Sequence, residues 1–140
     1  MQDKLILRVV AKWLIPVIIL FAFYVQFHGD YSPGGGFQAG VIFSSAFLLY
    51  SLVYGLESAI KVLPDHWLKV AACFGVLLYA GVGVVAMLMG GNFLDYSALA
   101  SEPVAGQHIG IILIELGVGI TVGSVMLLIF FTFARRVLPK

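Results

Sequence analysis

Glu115 is the residue most at odds with its surroundings. It stands in GIILIELGVGITVGS, inside a long apolar run. A carboxylate in hydrocarbon is expensive and should face protein or water. Glu115, Gly119 and Gly123 recur at i, i+4 and i+8, along one stripe of a helix. Gly119-x-x-x-Gly123 is a small-residue packing face, so the acid points to where another helix comes close. Two readings follow: a way-station for a proton or cation, or a protonated acid hydrogen-bonded to a neighbouring subunit. The other chemistry-bearing residues are fewer. His28, His66 and His108 all fall at the ends of apolar runs, which leaves no facing pair for bis-histidine haem ligation. Neither an HxxxH pair nor a Cys/His cluster appears, so no metal site is expected. Cys73, the only cysteine, lies in an apolar run and reads as a small packing residue. His28 and Asp30 share one side of the chain with His108 and are candidates for proton entry, against a plain interfacial role.

The elements that must position these groups follow from composition. Of 140 residues, 61% are hydrophobic and 11% charged, against about 25% charged in an average soluble protein. A soluble helical domain of this size could not build its polar faces from so few charges, so the expected class is an all-α integral membrane protein. Four segments reach the roughly 20 apolar residues a span needs: about Val9–Phe27, Phe37–Leu56, Leu68–Gly90 and Ile109–Ala134. They form a single membrane domain over 1–140. The first apolar run is long and no small-x-small cleavage site follows it, so it reads as a retained helix. Lys12 can snorkel to the interface, and Pro16 falls early in the expected helix, where proline is tolerated. Trp13, Tyr24, Tyr54 and Trp67 suit an aromatic belt.

Charge sets the expected orientation. Lys4, Arg8 and Lys12 precede the first span, Lys61 and Lys69 flank the second loop, and Arg135, Arg136 and Lys140 follow the fourth span. With four spans, all of the basic residues share one side, and the other side holds only Asp30, Asp95 and Glu102. The positive-inside rule then puts both termini in the cytoplasm. A net charge of +1 gives no case for nucleic acid.

The first loop, HGDYSPGGGFQAG, spans His28 to Gly40. Ser32 precedes a proline and should be extended. Pro33 suits a helix start. Gly34, Gly35 and Gly36 permit positive φ and close backbone approach. A phosphate cradle is disfavoured, because no Gly-Lys-Ser/Thr follows and the loop joins helix to helix. Gly36, Gly40 and Ser44 continue as a small-residue stripe. Gly75, Tyr79 and Gly83 share a face of the third span. So many small faces lead us to expect contacts with other chains, the first loop docking the protein in a larger assembly.

SPGGGF after a first span, GGNFLDY after a third and IELGVG in a fourth resemble the B subunit of the multisubunit Mrp-type Na+/H+ antiporters, the MnhB family. The likeness covers nearly the whole chain in the same order. It departs at Ala39-Gly40, where the family often carries a glycine pair, and at Glu115, where aspartate is the commoner acid. The resemblance implies a small accessory subunit in a bacterial cytoplasmic membrane, working with A, C, D, E, F and G subunits. That complex exchanges Na+ for external H+ at the expense of the proton-motive force. It further implies Pro33, Gly34, Gly35, Gly36 and Phe37 as motif residues, Glu115 as the acid of the fourth span, no cofactor and no catalysis. A related subunit of a membrane-bound hydrogenase-type complex is the near alternative. A stand-alone four-helix multidrug exporter fits the length, but that class resembles a design with an acid in the first span, and none stands there. A quinone or thiol redox enzyme is disfavoured by one cysteine and no intramembrane histidine.

Overall fold

The computed structural model describes residues 2–29 and 34–137. Asp30 and Pro33, two of the residues singled out above, lie outside the described residues. The chain is all-helical among those residues, with helices α1 (Gln2–Phe27), α2 (Gly36–Tyr54), α3 (Leu56–Val62), α4 (Asp65–Leu88) and α5 (Pro103–Val137) and a 3₁₀ turn at Tyr96–Leu99. Four stretches, Leu5–Phe27, Gly36–Tyr54, Asp65–Leu88 and Pro103–Arg136, are long and apolar enough to cross a membrane.

The helix ends have local causes. Gly35, at φ 139, starts α2, and Gly55, at φ 97, stops it while its N–H bonds back to the Ser51 carbonyl. Pro64, extended at φ −63 and ψ 143, separates α3 from α4. At the end of α4, Gly90 takes φ 91, its N–H reaches the Met87 carbonyl, and the Gly91 N–H reaches that of Ala86. This is the Schellman arrangement, which pairs the last carbonyls of a helix. Pro103 opens α5 at the first helical position, where its missing N–H does no harm.

The helices also differ from expectation. The helix α1 starts well before Val9, so Pro16 lies inside it rather than near its beginning. The carbonyl four residues back loses its partner, a loss membrane helices tolerate where neighbours or water satisfy it. The second loop folds its middle into α3, and α5 begins at Pro103 rather than Ile109. With 35 residues, α5 is about 52 Å long at 1.5 Å per residue, longer than the roughly 30 Å hydrocarbon layer.

Helix α5 lies between α2 and α4, while α1 packs on α2 and touches α5 only lightly. Small residues make both seams of α5. Gly75 of α4 faces the Gly117 carbonyl and Thr121, and Gly40 of α2 faces the Gly119 carbonyl and the Gly123 N–H. A core of Ala59, Leu68, Leu127 and Phe131 closes one end, with Phe47, Leu56 and Leu63 around it. At that end the Tyr54 hydroxyl donates to the Arg8 carbonyl at 3.1 Å. Arg135 grips Asp65 through two hydrogen bonds of 2.6 and 2.9 Å. The start of α1, the end of α2, the start of α4 and the end of α5 therefore meet at one end. Arg8, Lys69, Arg135 and Arg136 all belong to it.

The opposite end is capped by the third loop. The Phe93 ring lies on Gly83, the Tyr96 ring on Gly110, and the Tyr96 carbonyl on Gly106. The Asp95 side chain accepts from the Ser97 N–H at 3.3 Å. Gln107 donates to the Ser97 hydroxyl at 2.9 Å.

Candidate functional site at Glu115

Glu115 is half-buried on α5. Its side chain ends against the neck of the first loop. A methyl group placed on Gly29 would sit 2.6 Å from both carboxylate oxygens, and one on Gly35 would sit 3.4 Å from Oε1. One on Gly36 would collide with the Glu115 backbone carbonyl. A methyl on Gly34 would lie 3.0 Å from the Val25 carbonyl and 3.7 Å from Gly29 Cα, so the neck itself is closed by glycine meeting glycine. The carboxyl thus occupies a cradle of bare backbone, in which a side chain at 29 would take its place, one at 35 would touch it and one at 36 would strike the helix backbone behind it.

The start of α2 forms one wall of this cradle. That helix has no side-chain cap of its own and no acid in its first turn. The first N–H groups of a helix have no partner within the helix and carry partial positive charge. The Glu115 carboxyl reaches this end of α2 from across the helix seam. Two amides stand nearby. The Gln38 Oε1 would be 3.3 Å from a methyl on Gly35, and the Gln26 Oε1 occupies the space such a group would need on Gly119. Below Gln26, an apolar groove of about 420 Å³ runs past Gly119, Phe43, Ser124 and Leu127 to Trp67.

Within the chain, the small-residue stripes face one another. Gly36 and Gly40 of α2 pack on Glu115, Gly119 and Gly123 of α5 within the same chain. Gly75 is matched by Gly117, and Gly83 by Phe93. These faces meet within the chain because α5 is inserted between α2 and α4. Ser44 is buried, with its hydroxyl donating to the Val41 carbonyl at 2.8 Å. Phe37 is 55% exposed and stays available.

The His28 ring stacks on Tyr24 at 4.1 Å, with Nδ1 3.1 Å from the Tyr24 carbonyl. His28 immediately precedes Gly29, the roof of the cradle. His108 is exposed on the first turns of α5. Gly29, Gln26 and Gln38 are the site residues that sequence reasoning missed. The cue for Gly29 was its presence in the same loop as the glycine triplet. An amide close to the end of an apolar span was the cue for Gln26.

Residues 6–128 match the family model described as a domain related to the MnhB subunit of Na+/H+ antiporter. The chain belongs to the MnhB family. Relatives from Staphylococcus aureus strains Newman and JH1, each named "Putative antiporter subunit mnhB2", are 33% identical over 136 residues. The aligned stretch covers 95% of this chain and 96% of each relative. The MnhB match includes the first loop, all of α2 and α4, and α5 as far as Met126 and two residues beyond. Both halves of the Glu115 cradle are therefore inside it. The MnhB assignment and the four apolar helices place the chain among multi-pass membrane proteins of ion transport.

Proposed function

We propose that this chain is a small accessory membrane subunit of a multisubunit Na+/H+ antiporter complex driven by the proton-motive force, and is not itself an enzyme. Its partners would be the larger and smaller integral membrane subunits of such a complex, A, C, D, E, F and G in the Mrp-type arrangement. Its place would be a bacterial cytoplasmic membrane. The basic end, with Arg8, Lys69, Arg135 and Arg136, would face the cytoplasm, because retained positive charge marks that side. In this orientation the first and third loops are external.

Within the complex the chain would contribute assembly and a share of ion or proton passage, with Glu115 as the titrating group and His28 and Asp30 on its external approach. The observation that carries this reading is a coincidence of place. The acid of the last span and the glycine motif that marks the resemblance meet in one cradle. A buried ionisable group inside a span is a functional-site candidate by default. The related proteins are named as antiporter subunits, which supports a complex over a lone exporter. The test is antiport in membrane vesicles carrying the whole complex, with Glu115→Gln. Glutamine keeps size and an acceptor oxygen but holds no exchangeable acidic proton. We expect the complex to assemble and antiport to fall by about tenfold or more. Unchanged antiport at normal assembly would leave Glu115 a structural acid.

A further inference from the structure

Resting on the role just given to Glu115, we infer that Gln26 is a positioning residue for that site: it pins the outer end of α1 to α5 and so holds Gly29 over the carboxylate.

The argument begins with register. Gln26 Oε1 lies where a methyl group on Gly119 would be, 3.2 Å from which stands the Gly36 carbonyl. Three residues on, just past the helix end, Gly29 roofs the Glu115 carboxylate. On α5, Gly119 and Glu115 are also one turn apart, on the same face. The chain runs outward along α1 and inward along α5. The contacts Gln26–Gly119 and Gly29–Glu115 are therefore consecutive rungs between antiparallel segments. Three to four residues of helix span about 5 Å, so the rungs match in height.

Burial gives the second line. The apolar window of α1 is only 11% buried, against 28% for that of α5. Along α1, Ala11 and Ala22 are the buried hydrophobic residues among those described. Direct packing between α1 and α5 is slight, α1 being held mainly against α2, so Gln26 is one of the few ties between α1 and the helix that carries Glu115. Gln26 lies in the notch that Gly119 leaves on α5. A polar side chain inside a span prefers such a protein-facing slot to lipid. A rotation of α1 that withdrew Gln26 would carry Gly29 away and open the carboxylate to the external side. Gln26 itself carries no proton and would act only through Glu115.

The test uses the assembled complex in vesicles. Gln26→Leu removes the amide at similar volume, and Gly119→Ala fills the notch. In Gln26→Ala/Gly119→Ala the clash is gone but the pin stays missing. Assembly is followed by co-purification of the companion subunits, and antiport by its full pH profile. The expected result is assembly in all three with the pH midpoint displaced by about one unit, tenfold in proton affinity. The double variant should keep the displacement although its packing is relieved. A parental profile in Gln26→Leu or in the double variant overturns the inference. If Gln26→Leu does not assemble, Gln26→Met, of similar reach, is read in its place, and failure of every variant to assemble also overturns it, since the role would then be one of folding. Glu115→Gln separates the two ideas. If it transports normally, the role of Glu115 fails. If it is inactive while the Gln26 variants keep the parental profile, only the positioning role fails.

Discussion

A methyl group on Gly36 would strike the carbonyl of Glu115, whereas one on Gly29 would meet only the tip of its side chain. Backbone in a helix seam has nowhere to move, but a carboxylate can swing about its torsions. Gly36→Ala should therefore loosen the α2–α5 seam by about 1–3 kcal/mol, the usual range for overpacking. Gly29→Ala should leave stability nearly intact and disturb antiport instead. Thermal dissociation of the purified complex, read beside vesicle antiport, checks both. Equal loss of stability in the two variants would contradict the cradle geometry. Much at this scale was legible beforehand. The carboxyl stood out by its cost in hydrocarbon, and the glycine stripe on α5 told which way it faced. The identity of its partner was not legible. A small-residue face declares that some backbone comes close, but sequence spacing within one helix says nothing about whose backbone that is.

Among the elements, the four apolar stretches were readable because hydrocarbon thickness imposes a length on any span. The short helix α3 was not. With Glu57 and Lys61 exposed at an interface, it lacks the apolar run that marks a span, and Ala59 is its only fully buried residue. The start of α5 was hidden for a related reason. Gln107 and His108 look like loop to an apolarity criterion, yet helical hydrogen bonding needs no apolar side chain. The Arg135–Asp65 pair joins the last turn of α5 to the first turn of α4, and each charge also complements its helix dipole. Both side chains retain substantial exposure, 44% and 29%. Arg135→Ala should thus cost less than about 1 kcal/mol, seen as a small drop in the dissociation temperature that high salt erases. A large loss would mean that another subunit buries the pair.

At the scale of the molecule, α5 supplies the contact surface for both α2 and α4, and glycines on all three helices make those seams. What remains for partners is apolar: Phe37, the sides of α1 and the groove beneath Gln26. The placement of α5 also has a consequence for biogenesis. Ribosomes deliver α1 and α2 first, and these can pair as a hairpin while synthesis continues. The next span, α4, then enters the bilayer with no seam to join, because Gly75 meets its match only on the last span. The nascent protein must keep a berth open between two earlier helices until α5 emerges. A chain ended after Leu99 should therefore insert but remain unlocked, and pulse-chase labelling should show it degraded much faster than the full chain. Equal lifetimes would mean that α4 finds its support elsewhere. Quality control at the membrane then has a single late step to read, the closure of the bundle by α5.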